Sequence, residues 1–301
     1  MKKRAILALG LSLALLLTAC GSTKTGQESQ PEARVTVVAT TYPVYLLASA
    51  VAENVDGVVV ERLNTGAVSC LHDYTLTVSD MKLIESADVI AMNGVGLEDF
   101  MDDALSGSDA QVIDCSEGID LLEAAGHEGH DHDTEYDPHI WMDPSNAQAM
   151  LGTIADRLGQ ITGQDFQARC TQVQEQVAQA DQQWKDQLAA LSSPKLITFH
   201  DGFQYFSRCF GLELLKAIEE EEGSEASAQE IKEIVSMVEQ YHLPAIFTEV
   251  NGSDSTAQAI SRESGCQVYQ LNMIMSGDGT GIQPYIDAMQ GNIDTIVEAF
   301  G

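Results

Sequence analysis

Three of the seven histidines in this sequence share a setting that suits metal binding. Each lies where a predicted strand or turn gives way to the next element, which is the usual place for ligands in open α/β sheets. Each also has an aspartate within two residues, and such a carboxylate can accept a ring proton and fix the tautomer. The histidines are His72, His139 and His200, with Asp73, Asp137 and Asp201 beside them. Three neutral imidazoles suit Zn²⁺ and suit Mn²⁺ or Ca²⁺ poorly, so the sequence predicts a zinc site.

The remaining four histidines have other settings. Three of them, His127, His130 and His132, lie in the acidic segment Gly126–Asp133. Imidazoles interleaved with carboxylates favour weak metal binding there, and the alternative is a solvated insertion in a surface loop. The fourth, His242, lies beside Pro244 near a predicted helix end, where a capping role is expected.

Two groups of alternating strands and helices must position these histidines. The first group has strands at Val35–Thr40, Val58–Leu63, Val89–Met92 and Gln111–Ile113, with helices at Tyr45–Glu53, Val78–Glu85 and Leu97–Leu105. The second has strands at Leu196–Phe199, Glu213–Ala217, Ala245–Thr248 and Val268–Leu271, with helices at Ser227–Tyr241, Ser255–Glu263 and Pro284–Phe300. Such alternation predicts an α/β fold with two mainly parallel sheets flanked by helices.

A strand-free stretch separates the two groups. Its second part, Asp165–Leu191, has neither glycine nor proline and is rich in glutamine and alanine, so it predicts one long helix, with two shorter helices as the alternative. We therefore expect an N-terminal α/β lobe over residues 35–164, a connecting helix over 165–191 and a C-terminal α/β lobe over 192–301.

The N-terminus is typical of an exported lipoprotein. Met1–Arg4 carries three positive charges, and the apolar run Ala5–Ala19 is too short to span a bilayer comfortably. The run ends in Leu17-Thr18-Ala19-Cys20, which resembles the lipobox of bacterial lipoproteins. We predict a signal peptide over residues 1–19, acylation of Cys20 and a flexible tether over residues 20–34. The alternative is an ordinary signal peptide that ends in a chance cysteine.

Charge and cysteine usage narrow the function further. A formal net charge of −31 argues against binding nucleic acid or an anionic bilayer through the protein's own surface. Five cysteines follow Cys20, and none of them forms a CxxC pair that would favour a thiolate zinc site. Their disulfide pairing is left open. These cysteines are Cys70, Cys115, Cys170, Cys209 and Cys266.

Four segments resemble the metal-specific solute-binding lipoproteins of ABC importers, in particular the zinc branch. They are Gly66–Asp80 (GAVSCLHDYTLTVSD), Asp137–Ala147 (DPHIWMDPSNA), Phe199–Phe206 (FHDGFQYF) and Ala245–Ser255 (AIFTEVNGSDS). The resemblance covers Val35–Gly301. It implies two lobes joined by one long rigid helix, with Zn²⁺ held in the cleft between them by His72, His139 and His200. It also implies a monomer, anchored on the extracytoplasmic face of the membrane, that delivers zinc to a permease and its ATPase.

The fourth metal ligand is open. Many members of that family have an acidic ligand where this chain has Asn272, so the candidates are Asn272, Glu249 and water. Relatives that favour manganese tend to have a carboxylate at the position of His200, and a manganese importer component is the first alternative function.

Two further functions need weighing. Three histidines and a water could also form a hydrolase site, but the sequence has neither an HExxH nor a GxSxG motif. A surface adhesin is suggested only by export and anchoring, and its binding to a host ligand would survive loss of all three histidines.

Overall fold

The fold is described from a computed structural model that covers residues 34–63, 71, 74–124, 135–192, 194–218 and 227–301. The predicted signal peptide, Cys20, all but residue 34 of the tether, His72 and the histidine-rich segment Gly126–Asp133 lie outside these residues. Within the described part of the chain, no helix is both long and apolar enough to cross a bilayer.

The predicted fold class is confirmed, because two parallel four-stranded sheets are flanked by helices. In the first sheet the strand order is β2-β1-β3-β4, and in the second it is β6-β5-β7-β8. The strands of the first sheet are β1 (Val35–Ala39), β2 (Val58–Arg62), β3 (Val89–Met92) and β4 (Gln111–Asp114). Those of the second are β5 (Lys195–Thr198), β6 (Glu213–Ala217), β7 (Ala245–Glu249) and β8 (Gln267–Leu271).

The helices follow the predicted order, and two helices, Pro144–Thr162 and Gln204–Phe210, are additional to the predicted ranges. Around the first sheet they are α1 (Tyr42–Val51), α2 (Val78–Ser86) and α3 (Asp102–Ser106). Between the sheets in sequence lie α4 (Pro144–Thr162) and α5 (Gln167–Leu188), and around the second sheet are α6 (Gln204–Phe210), α7 (Ala228–Tyr241), α8 (Ser255–Ser264) and α9 (Gln283–Phe300). The predicted long helix is one helix, α5, about 33 Å long at 1.5 Å per residue.

Three details differ from the sequence prediction. Helix α1 begins three residues early, because the Thr41 side chain caps it and Pro43 fits its first turn. The predicted helix Leu97–Leu105 is replaced by a 3₁₀ turn (Asp99–Met101) and the short α3. The aromatic helix α6 was not predicted.

The two sheets share a hydrophobic core. Alternate side chains of a strand point to opposite faces, and in β1 Val37 and Ala39 face the shared core whereas Val38 faces a smaller cluster with Ile84. The second sheet repeats this pattern, with Leu196 in the shared core and Ile197 in its own outer cluster. Residues 34–301 form one compact unit.

Helix α9 belongs to the same core through Met289, Ile293 and Ile296, all fully buried. We therefore expect Ile293→Ala to lower the free energy of unfolding of the whole unit by about 2–5 kcal/mol, as is usual when a large core side chain is truncated. Urea unfolding, followed by circular dichroism and by the fluorescence of Trp141 and Trp184, should show one transition moved to lower urea.

Val78→Ala is the matched control, because Val78 is 74% exposed and its truncation should change stability by less than about 0.5 kcal/mol. Two separate transitions, of which Ile293→Ala moves only one, would contradict a shared core.

Candidate metal centre

His139 is held in one orientation by a single carboxylate. It lies in the turn between the first sheet and α4, and it is 7% exposed. Oδ1 of Asp137 accepts hydrogen bonds from both the backbone N–H and the ring Nδ1–H of His139, each at 2.8 Å. Because a carboxylate only accepts, the ring proton must be on Nδ1. The other ring nitrogen, Nε2, is therefore left with a lone pair for a metal.

The second histidine, His200, directly follows β5 and meets His139 in space. The two ring centroids are 5.4 Å apart, with the ring planes at 88°. Nδ1 of His200 lies 3.8 Å from Oε2 of Glu249, which is beyond hydrogen-bonding distance but close enough for a charge interaction. The hydroxyl of Thr198 donates to the backbone carbonyl of His200 at 2.8 Å and fixes that turn.

Electrostatics at this pair follow from the buried carboxylates. Burial lowers the pKa of His139, whereas the hydrogen bond and the charge of Asp137 raise it. The charges of Asp201 and Glu249 raise it further, so the pKa of His139 lies above its usual value. Burial raises the pKa of Glu249 to about 7, against the opposing pull of His139. Glu249 is 3% exposed, and no described residue donates a hydrogen bond to its Oε1.

The turn that carries His139 is also tied to the end of the chain. The indole Nε1–H of Trp141 donates to the carbonyl of Met273 at 2.8 Å, just after β8. The hydroxyl of Tyr285, in α9, donates to the carbonyl of Trp141 at 2.9 Å. Trp141 and Tyr285 are fully buried, so the histidine pair lies where elements of both sheets meet.

Gly202 allows the segments around the pair to approach each other. A Cβ atom at this position would lie 2.2 Å from Sδ of Met273 and 3.0 Å from Cδ2 of His139. A larger residue at this position would force the Met273 side chain to move and would press on the His139 ring. Its neighbours Asp201 and His200 were predicted site residues, whereas Gly202, Trp141 and Tyr285 were missed.

The candidates for the fourth ligand differ in their surroundings. The amide oxygen of Asn272 accepts the backbone N–H of Ile274 at 2.7 Å, within its own turn. The backbone of Asn272 is bonded twice to the side chain of Asn292, at 2.7 and 2.8 Å. Glu249, in contrast, lies beside His200, with its Oε2 3.8 Å from Nδ1 of that ring.

The structure brings two of the three predicted histidines, His139 and His200, side by side. Within the described residues, no three His, Cys, Asp or Glu side chains converge as metal ligands would. His72 and its neighbour Asp73 lie outside those residues, as do His127, His130 and His132, so their roles stay predictions. The predicted cap is confirmed, because His242 ends α7 in the left-handed conformation, with φ of 52°. Among the described cysteines, Cys115, Cys170, Cys209 and Cys266 are free thiols.

Comparison with known proteins defines the class. The profile of the family described as "Zinc-uptake complex component A periplasmic" matches residues 37–299, and the chain belongs to this family. It is therefore a substrate-binding component of a transport system and not an enzyme, which excludes the hydrolase alternative.

The names of individual relatives refer to different metals. The manganese-binding lipoprotein MntA of Halalkalibacterium halodurans is 26% identical over 99% of this chain and 98% of its own length. The zinc-binding protein TroA of Treponema pallidum is 30% identical over 76% of this chain and 77% of its own length. The crystal structure of ZnuA, at 23% identity, superposes with a TM-score of 0.77 over 89% of this chain and the whole of that one, which shows the shared fold.

Asp137→Asn should lower the pKa of His139. The amide oxygen of asparagine can still accept both hydrogen bonds, but the negative charge that raises the pKa is removed, while the burial that lowers it remains. Nuclear magnetic resonance of the imidazole nitrogens in metal-free protein, recorded against pH, measures this directly.

Asp88→Asn is the control for the loss of one negative charge. Asp88 likewise accepts a backbone hydrogen bond, from Thr36, but it precedes β3 at the other end of the sheet. If the two substitutions shift the His139 titration equally, Asp137 is not the source of the raised pKa.

Proposed function

We propose that this chain is the extracytoplasmic zinc-binding component of an ABC importer, and that His72, His139 and His200 bind the ion. The observation that carries the proposal is the histidine pair: two imidazoles 5.4 Å apart, one of them fixed by Asp137 with its Nε2 available. Zinc takes imidazole nitrogens at about 2.0–2.1 Å and accepts four ligands in a tetrahedral arrangement.

The residues around the pair have distinct tasks in this proposal. Asp137 fixes the ring proton of His139 on Nδ1, so that the lone pair of the neutral ring is on Nε2, and it makes that nitrogen a more basic ligand. Glu249 lies beside His200, and its Oε1 accepts no hydrogen bond from a described residue. Its ionised form would partly offset the charge of a bound cation. The amide oxygen of Asn272 already accepts a hydrogen bond from Ile274 within its own turn, and we propose water as the fourth ligand.

Delivery requires the protein to stay close to its transporter. We infer that Cys20 carries the lipid anchor, that residues 20–34 are the tether, and that the chain works as a monomer with a permease and an ATPase. The high negative charge of the protein attracts cations only weakly at physiological salt, because the Debye length is about 8 Å. Selection must therefore come from the ligands themselves.

Manganese is the alternative cargo, and the name of MntA is the reason to keep it. Manganese is the harder ion and binds nitrogen ligands less tightly than zinc does. The donors proposed here are imidazoles, and the carboxylates of Asp137 and Glu249 lie beside ring Nδ1 atoms. This arrangement favours zinc.

Replacing any of the three histidines by alanine should weaken zinc binding by more than the roughly 10–100-fold that loss of an outer partner usually costs. Each change removes one of three strong ligands and leaves the shared core intact. Competition with a chromophoric chelator measures the affinity of the full chain, and circular dichroism checks the fold. The variants are His72→Ala, His139→Ala and His200→Ala.

His242→Ala is the matched control, because His242 caps α7 and should leave zinc affinity unchanged. If the three variants titrate like the parent, the site is elsewhere. If only His72→Ala does so, the third ligand is wrong and the pair of His139 and His200 stands.

A further inference from the structure

The segment Asn93–Glu98 is strained although it contains none of the histidines. It follows β3, and three consecutive residues have positive φ: Gly94 at 85°, Val95 at 58° and Gly96 at 76°. Glycine adopts this conformation readily, but a β-branched valine does so only when its surroundings impose it. A Cβ on Gly94 would also lie 2.1 Å from Oδ1 of Asp114. The segment therefore follows a fixed path.

One buried carboxylate imposes that path. Glu98 is 1% exposed, and its Oε1 accepts hydrogen bonds from the hydroxyl of Thr40 at 2.6 Å and from the backbone N–H of Asn93 at 2.7 Å. Its Oε2 accepts the backbone N–H of Gly94 at 3.0 Å. Burial raises the pKa of Glu98 to about 7, although these three donors lower it. Glu98 thus fixes the backbone of Asn93 relative to the end of β1.

Asn93 in turn reaches the turn that carries His139. Its side chain is fully buried, and its Nδ2 donates to the carbonyl of Pro138 at 2.8 Å and to that of Gly94 at 3.1 Å. The Pro138 carbonyl and the His139 N–H belong to the same peptide group. Asn93 holds one side of this peptide, and Asp137 holds the other through the N–H. Two hydrogen bonds therefore set the plane from which the His139 ring projects.

The arrangement is poorly explained by stability alone. The amide oxygen of Asn93 is buried and has no hydrogen-bond donor among the described residues. Burying an unpartnered oxygen costs free energy of folding. If Asn93 only stabilised the fold, an apolar side chain of the same shape would avoid that cost. The carbonyl of Pro138 would keep a partner, because the N–H of Ile140 also donates to it at 2.8 Å.

We propose that Asn93, fixed by Glu98, is a positioning residue of the metal site that sets the orientation of His139. This inference rests on the proposed function, because it assumes that His139 binds the ion. Neither residue touches the metal. They act through the peptide group between Pro138 and His139.

Asn93→Leu separates a positioning role from a structural one. Leucine nearly preserves the shape and removes the unpartnered amide oxygen, so the free energy of unfolding of the metal-free full chain should fall little or rise. Zinc affinity should nevertheless fall by about 10–100-fold, the range typical of outer-shell residues. The visible absorption spectrum of the Co²⁺-loaded protein should also change, because it reports the geometry of the ligands.

Ile84→Ala is the control for lost stability. Ile84 packs on the other face of the same sheet, away from His139, so this variant should lose stability but keep the parent's zinc affinity and cobalt spectrum. Asn93→Ser serves if the leucine variant does not fold. A conservative Glu98→Gln variant should weaken zinc binding less than Asn93→Leu does, because it acts one step further away.

The positioning role and the metal site itself can be tested separately. Parent-like zinc affinity and cobalt spectrum in both the Asn93 and Glu98 variants would overturn the positioning role while leaving the metal site intact. Parent-like affinity in His139→Ala would overturn the proposed site itself, and this inference with it.

Discussion

The two hydrogen bonds from His139 to the carboxylate of Asp137 are the interaction on which the proposed site depends. They fix the backbone of the turn, the orientation of the ring and the position of its proton at once. A lone imidazole on a mobile turn would lose binding free energy in becoming ordered. The carboxylate fixes the ring before the ion arrives, so that cost is smaller. Its own burial is tolerated because the imidazole and the backbone N–H satisfy one of its oxygens.

The remainder of the fold keeps this turn between two sheets. Trp141 and Tyr285 connect the turn to the segment after β8 and to α9, and Gly202 leaves room for His139 beside Met273. The shared core makes this junction stiff, because the inner faces of both sheets pack into one apolar cluster.

The sequence predicted the features that depend on local patterns of residues. The strands of both sheets follow from runs of β-branched and apolar residues, and α5 follows from the absence of glycine and proline. His139 and Asp137 could be paired because they are two residues apart. The contacts that position them could not, since Trp141 and Met273 are 132 residues apart in sequence and Asn93 and Pro138 are 45 apart. Asn272 is an opposite case. Its position in the sequence corresponds to that of an acidic ligand in many family members, but its amide oxygen accepts a hydrogen bond within its own turn.

In the proposed site, imidazoles rather than carboxylates select the ion. Competition between Zn²⁺ and Mn²⁺ for the metal-free full chain, at one pH and salt concentration, tests it most directly, with bound metal measured by mass spectrometry. Zinc should stay bound in the presence of a large molar excess of manganese. Manganese that matches or displaces zinc at equal concentration would contradict it and would favour a site built on carboxylate oxygens.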